Sequence, residues 1–220
     1  MTAARTEILA NIRKGRKRGA LDAQQLKALQ DGLAHPQAHA VPARGQIPKE
    51  ERIELFVTMA QEVGTTIARL TSVGGIVDVV RQLVAANNLP PSVALAPSPE
   101  LTGLDWNGLS ARRGPARPED LVGVVPAFAG IAETGTLMLL SGPESPTTLN
   151  FMPDYHVVLL KTSRLLGTFE EGWALLRREQ GPMPRTVNLI TGPSRTGDIE
   201  QTILMGAHGP RRLIVALVPE

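Results

Sequence analysis

The chain has 220 residues and a formal net charge of +2; 42% of it is hydrophobic, only 3% is aromatic, and it contains no cysteine. That length suits one domain with a small appendage, and the apolar content is enough for a sizeable core. The composition excludes disulfides, thiolate metal sites, iron–sulfur clusters held by this chain's cysteines and a thiol nucleophile, and the few aromatics argue against a stacking platform for single-stranded nucleic acid.

The charge is unevenly spread. Residues 1–20 carry six Lys/Arg against one acid, and the remainder holds 17 basic and 20 acidic groups. The run Arg13 to Arg18, RKGRKR, is read as a solvated terminal segment, not a nucleic-acid contact. No uninterrupted apolar run approaches the roughly 18 residues of a membrane helix. The expectation is a cytoplasmic protein without a membrane span.

In chain order, TEILANIR places Ile8, Leu9 and Ile12 on one helical face, and DAQQLKALQDGL opens with Asp22 and Gln25 at capping-box spacing. Two short helices are predicted, followed by a Pro/Gly-rich linker from Ala34 to Pro48. Residues 1–47 are thus expected to form a helical arm and linker, and 48–220 an α/β domain. From KEERIELFVTMAQEVG onward, helical patterns alternate with aliphatic runs: TTIARL, SVALAP, LVGVVPAFAGIA, TLMLLSG, HVVLLK, TVNLI and RRLIVALVP. Near-continuous aliphatic strands between helices predict a mixed, mostly parallel sheet with helices on both faces. The close succession of 121–132 and 136–141 predicts an antiparallel or irregular part. Thr168 and Glu171 mark a helix start, Gly181-Pro182 its stop, and Trp173 is read as core. IEQTILMG is read as a further short helix.

Two Gly-rich stretches carry the candidate chemistry. In TGPSRTGDIEQ, Gly192 and Gly197 have phosphate-loop spacing, but Asp198 and Ile199 stand where that loop needs Lys and Ser/Thr. Ser194 sits in G-P-S-R-T rather than G-x-S-x-G, so a hydrolase elbow is also disfavoured. His156 and His208 are candidate proton carriers, with Asp154 or Asp198 as orienters. Arg195 either holds a small carboxylate or pairs with Asp198 or Glu200. The second stretch, AGIAETGT, sets Glu133, Thr134 and Thr136 at a strand edge, with Gly130 and Gly135 serving the turn. His35 and His39 have i, i+4 spacing but lie in the Pro-rich linker, so no metal site is expected.

AGIAETGTLMLLSGP, PDYHVVLL and ITGPSRTGDIEQTILMGAHGPRRLIVALV, in this order and spacing, resemble the lactate-utilisation protein C family, built on the LUD domain. One departure is visible: Gly197 stands where the family commonly has Ala. The resemblance implies a fold related to the ribose-phosphate isomerase, glucosamine-phosphate deaminase and CoA-transferase group. It also implies a part in oxidising L-lactate to pyruvate beside partner proteins that carry iron–sulfur clusters. This chain would then be a non-redox subunit that binds no cofactor itself.

On that reading Glu133, His156 and His208 are the candidate catalytic groups, and Thr134, Gly135, Thr136, Ser194, Arg195, Thr196 and Asp198 line a pocket for a small carboxylate. Two alternatives stay open. One is a CoA-transferase-like or sugar-phosphate-isomerase-like enzyme using Glu133 as nucleophile or base. The other is an interaction or scaffold module that docks through the basic arm.

Overall fold

The computed structural model describes residues 3–16, 19–36, 40–196 and 204–219. The chain divides into two compact units, 1–40 and 41–220. The first holds helices α1 (Ala3–Gly15) and α2 (Ala23–Ala34). Asp22 caps α2 by the predicted capping box: its side chain accepts from the Gln25 N–H, and the Gln25 side chain accepts from the Asp22 N–H. Neither helix buries a residue, so Ile8, Ile12, Leu26, Leu29 and Leu33 stay exposed.

The second unit runs α3 (Arg52–Glu62), β1 (Thr66–Arg69), α4 (Gly75–Ala86), β2 (Ser92–Leu95), α5 (Pro99–Thr102), β3 (Ser110–Arg113), β4 (Val122–Pro126), β5 (Ala129–Ile131), β6 (Thr136–Leu140), β7 (Tyr155–Lys161), β8 (Leu165–Leu166), α6 (Phe169–Glu179), β9 (Val187–Ile190), β10 (Arg195–Thr196), β11 (Leu204–Met205) and β12 (Arg212–Val218). Six strands form a sheet in the order β1-β12-β7-β4-β2-β3, and every pairing in it is parallel. A second sheet, β8-β5-β6-β9, contains the antiparallel β5–β6 hairpin and the antiparallel β6–β9 pair. The fold is therefore a mixed, mostly parallel α/β architecture.

The physical cause of this layering is visible in the strands. Val157, Val158 and Leu160 of β7 and Val215 and Ala216 of β12 are fully buried, the continuous aliphatic pattern of strands covered on both faces. α4 turns Ile76, Val77, Val80 and Val84 to the core at helical spacing. α6 is capped by Thr168, whose Oγ1 accepts from the Glu171 N–H at 3.3 Å. The Glu171 carboxylate accepts from the Gly167 N–H and takes a bidentate pair from Arg52 at 2.7 and 3.1 Å, which ties α3 to the start of α6. Trp173 on α6 is partly buried against the apolar cluster of Ala129, Met138, Leu175 and Leu176.

Two sequence expectations need correction. The run 121–132 is not one strand: it breaks after Pro126, and β4 and β5 belong to different sheets. The end of the expected helix IEQTILMG is also extended, because Leu204–Met205 pairs antiparallel with Arg195–Thr196; residues 199–203 lie outside the described residues. A two-residue ribbon closed by backbone bonds there outweighs the local helical spacing.

Candidate functional site

The pairing of β6 with β9 sets the two Gly-rich stretches side by side, with Leu137 opposite Ile190. Thr136 begins β6 and Thr191 follows β9, and their hydroxyls are hydrogen-bonded at 2.7 Å. Thr134 continues the chain, 2.7 Å from the Thr136 hydroxyl. The backbone that makes this possible is tight. Gly135 has φ +65, and Gly192 has φ +77 with the Val63 carbonyl 2.6 Å from where a Cβ would stand. The loop beyond Gly192 is clamped from the other side: the Ser194 N–H donates to the Pro210 carbonyl at 2.8 Å, and the Gly206 N–H to the Ser194 carbonyl at 2.9 Å.

These restraints frame a cavity of about 270 Å³ at the amino-terminal ends of β7 and β12. His156, Ser194 and His208, all singled out from sequence, lie in its wall together with Asn150, Thr191 and Phe151. The Ser194 Oγ accepts from the His208 backbone N–H at 3.3 Å. His156 and Asn150 are both 0% exposed, and neither ring nitrogen of His156 nor either amide atom of Asn150 has a hydrogen-bond partner among the described residues. Burial lowers the His156 pKa from 6.5 to about 3, so at neutral pH its imidazole is uncharged. A neutral imidazole offers one donor and one acceptor, and Asn150 offers both kinds as well. Four buried polar atoms without partners are an uncommon cost in a folded protein, and their concentration at one cavity marks it as the candidate site.

Among the described residues, Glu133, Thr134, Gly135, Thr136, Arg195 and Thr196 are not part of this cavity's wall. Glu133 is 2% exposed, and its Oε1 accepts from the Phe169 N–H at 3.0 Å, at the amino terminus of α6; its Oε2 has no partner. A carboxylate there satisfies a free helix N–H and complements the helix dipole. We expect Glu133→Gln, which keeps an acceptor oxygen, to retain wild-type stability to within about 1 kcal/mol. Glu133→Ala is expected to lose about 1–3 kcal/mol in urea denaturation, because the Phe169 N–H is left unpaired. Equal stability of the two variants would separate Glu133 from the helix start.

Arg195 donates from Nη2 to the Val63 carbonyl at 2.7 Å and lines a neighbouring hollow with Arg211 and Arg212. The two depressions share Pro193 and Leu213 in their walls. Thr196 pairs with Leu204 in the β10–β11 ribbon. Asp198, Glu200 and His39 lie outside the described residues. Asp154 pairs with Arg211 at 3.2 Å, and His156 has no carboxylate against either ring nitrogen, so no Ser–His–Asp arrangement exists among the described residues. No helix among them is long and apolar enough to cross a membrane.

Sequence reasoning passed over Asn150 and Thr191. Asn150 carried one local signal, a lone amide between Leu149 and Phe151 ahead of a buried strand. Thr191 sat within the quoted loop but drew no attention beside Ser194 and Arg195.

The chain is a mostly parallel α/β domain with a small cavity at which the unpartnered polar groups of His156 and Asn150 gather, and comparisons with known proteins narrow the class. Residues 121–218 match the LUD domain. The chain is 30% identical over 185 residues to Lactate utilization protein C of Exiguobacterium sp., covering 77% of this chain and 79% of that protein. An uncharacterized protein of Neisseria meningitidis serogroup B is 45% identical over 95 residues, 43% of this chain and 41% of that protein. The chain likewise spans about half the length of several other curated relatives that it matches. Among solved structures, a DUF162 family protein from Deinococcus radiodurans superposes with a TM-score of 0.57 at 21% identity, over 78% of this chain and 99% of that one, a likeness of fold. This chain belongs to the LUD-domain family of lactate utilization protein C.

Proposed function

We propose that the chain acts in lactate utilisation as a non-redox subunit, binding a small carboxylate such as lactate or pyruvate in the His156–Asn150 cavity and working beside iron–sulfur partner proteins. The observation that carries the pathway is the identity with Lactate utilization protein C across most of both chains. The observation that supports the ligand is the set of unpartnered neutral polar groups of His156 and Asn150, joined in the wall by the Ser194 and Thr191 hydroxyls. A carboxylate bound by neutral donors needs no fixed cation if hydrogen bonds meet its oxygens, and the 2-hydroxyl or 2-keto oxygen takes a further donor. Phe151, Leu189 and Leu213 add apolar surface to the same wall for the ligand's carbon chain. The division of labour agrees with composition, because a chain without cysteine cannot supply thiolates to a cluster.

The test is growth on L-lactate of cells that depend on this protein. The double variant Asn150→Leu/Ser194→Ala, checked for soluble, folded protein, is expected to abolish growth on lactate while leaving growth on glucose intact. Wild-type growth of the double variant on lactate would refute the assignment of this cavity.

A further inference from the structure

At the opposite end of β7, roughly 16 Å from His156 at strand rise, lies a second cavity of about 410 Å³. Its position follows from topology. The chain leaving β2 turns outward to β3, and the chain leaving β4 proceeds the other way towards β7, so strand order reverses between β2 and β4. Open parallel sheets bind ligands outside the carboxyl ends of their strands at such a switch point. Ser98 and Glu100 after β2, Ala127 and Phe128 after β4, and Lys161 at the end of β7 line the cavity there.

The chemistry of its wall is distinctive. The Ser98 Oγ is buried without a partner, in a residue only 4% exposed, and the Ser145 Oγ beside the cavity is likewise buried and unpartnered. Lys161 pairs with Glu100 and Arg164 with Glu179, each side chain about a third exposed, and such pairs are held weakly and can exchange partners. Glu144 is exposed at the same rim and has no ion-pair partner among the described residues. The floor, by contrast, is apolar, with Pro126, Ala127, Phe128, Leu140 and Leu159.

We propose that this cavity is a second binding site, separate from the His156 cavity, for a small amphoteric molecule that carries an ammonium and a carboxylate on an apolar body, as an aliphatic or aromatic α-amino acid does. Its carboxylate replaces Glu100 on Lys161, its ammonium faces Glu144 and the released Glu100, a buried serine hydroxyl meets the carboxylate, and the apolar body covers the floor. A plain carboxylate would take Lys161 and leave Glu100 without a cation, and a plain amine would leave Lys161 on Glu100 and gain no contact from that cation.

The test is calorimetric titration of the full chain with L-leucine, 4-methylpentanoate and 3-methylbutylamine. L-leucine is expected to bind at least about ten-fold more tightly than either half-molecule. Lys161→Met and Glu144→Gln are each expected to weaken it by about ten-fold or more, and Asn150→Leu in the other cavity to leave it unchanged. The proposal is overturned if L-leucine does not bind, if the three compounds bind alike, if both rim variants bind as wild type, or if Asn150→Leu abolishes binding.

Discussion

Gly135→Ala is expected to destabilise the protein by about 3 kcal/mol or more, the largest effect of any single-methyl change around the site. Two independent costs combine at this position. The residue holds φ +65, a conformation that L side chains adopt only under strain, and the added Cβ would stand 2.3 Å from the Ala60 N and 2.6 Å from the Ala60 Cα. Those are main-chain atoms of α3, so no side chain can rotate to relieve the contact. Either α3 is pushed off the β5–β6 hairpin or the turn opens, and the second route strains the Thr134–Thr136–Thr191 hydroxyl chain that joins the two Gly-rich stretches. Thermal denaturation should show a midpoint lowered by about 6–12 °C for a domain of this size. A change below about 1 kcal/mol would mean that the turn is far more compliant than the contact with α3 implies.

His156→Leu has the second large effect, and it separates stability from function. The wild-type imidazole is fully buried, uncharged and without a hydrogen-bond partner, so an apolar side chain of similar volume removes unsatisfied polar atoms without opening a large void. At pH 7.5 the variant is expected to match or exceed the wild type in stability. The acid limb then tells the two proteins apart. His156 has a pKa of about 3 when folded, against 6.5 ordinarily, so between these values the unfolded chain binds the proton and the folded one does not. Stability therefore falls as pH drops below 6.5, by about 1.4 kcal/mol per unit once the unfolded imidazole is protonated, and stops falling for this reason near pH 3. In the difference between wild type and His156→Leu the other titrating groups cancel, and this slope remains. Parallel stability–pH curves would show that His156 is solvated or paired in solution. Loss of lactate-dependent growth in a variant that is at least as stable as wild type would mark His156 as a functional residue.

The fold was legible where apolar pattern alone dictates structure. HVVLLK and RLIVALV read as buried strands because nothing polar interrupts them, and they became the neighbouring strands β7 and β12. The polar run Ser110–Arg113 gave no such signal, since it forms the exposed edge strand β3, held by backbone pairing to β2 rather than by burial. Pro126 hid a change of sheet inside an apolar run, because hydrophobicity does not record which layer a residue enters. Strand order was not readable at all, and it decides the site. Asn150 shares a cavity wall with Thr191–Ser194 and His208–Pro210 because β12 pairs with β7, a contact between segments more than fifty positions apart. Ser194, His156 and His208 were singled out as side chains able to bond a ligand or carry a proton, within segments that resemble the family. Glu133 was equally visible in sequence, but nothing local indicated that its carboxylate turns to the start of α6.

The most direct test of the central claim is a titration of protein carrying ¹⁵N-labelled histidine with pyruvate, following the ring nitrogens of His156, assigned by their loss in His156→Leu. The account predicts a saturable change at His156, with the imidazole remaining neutral, and its disappearance in Asn150→Leu/Ser194→Ala. Unchanged His156 signals at saturating pyruvate and L-lactate would contradict it.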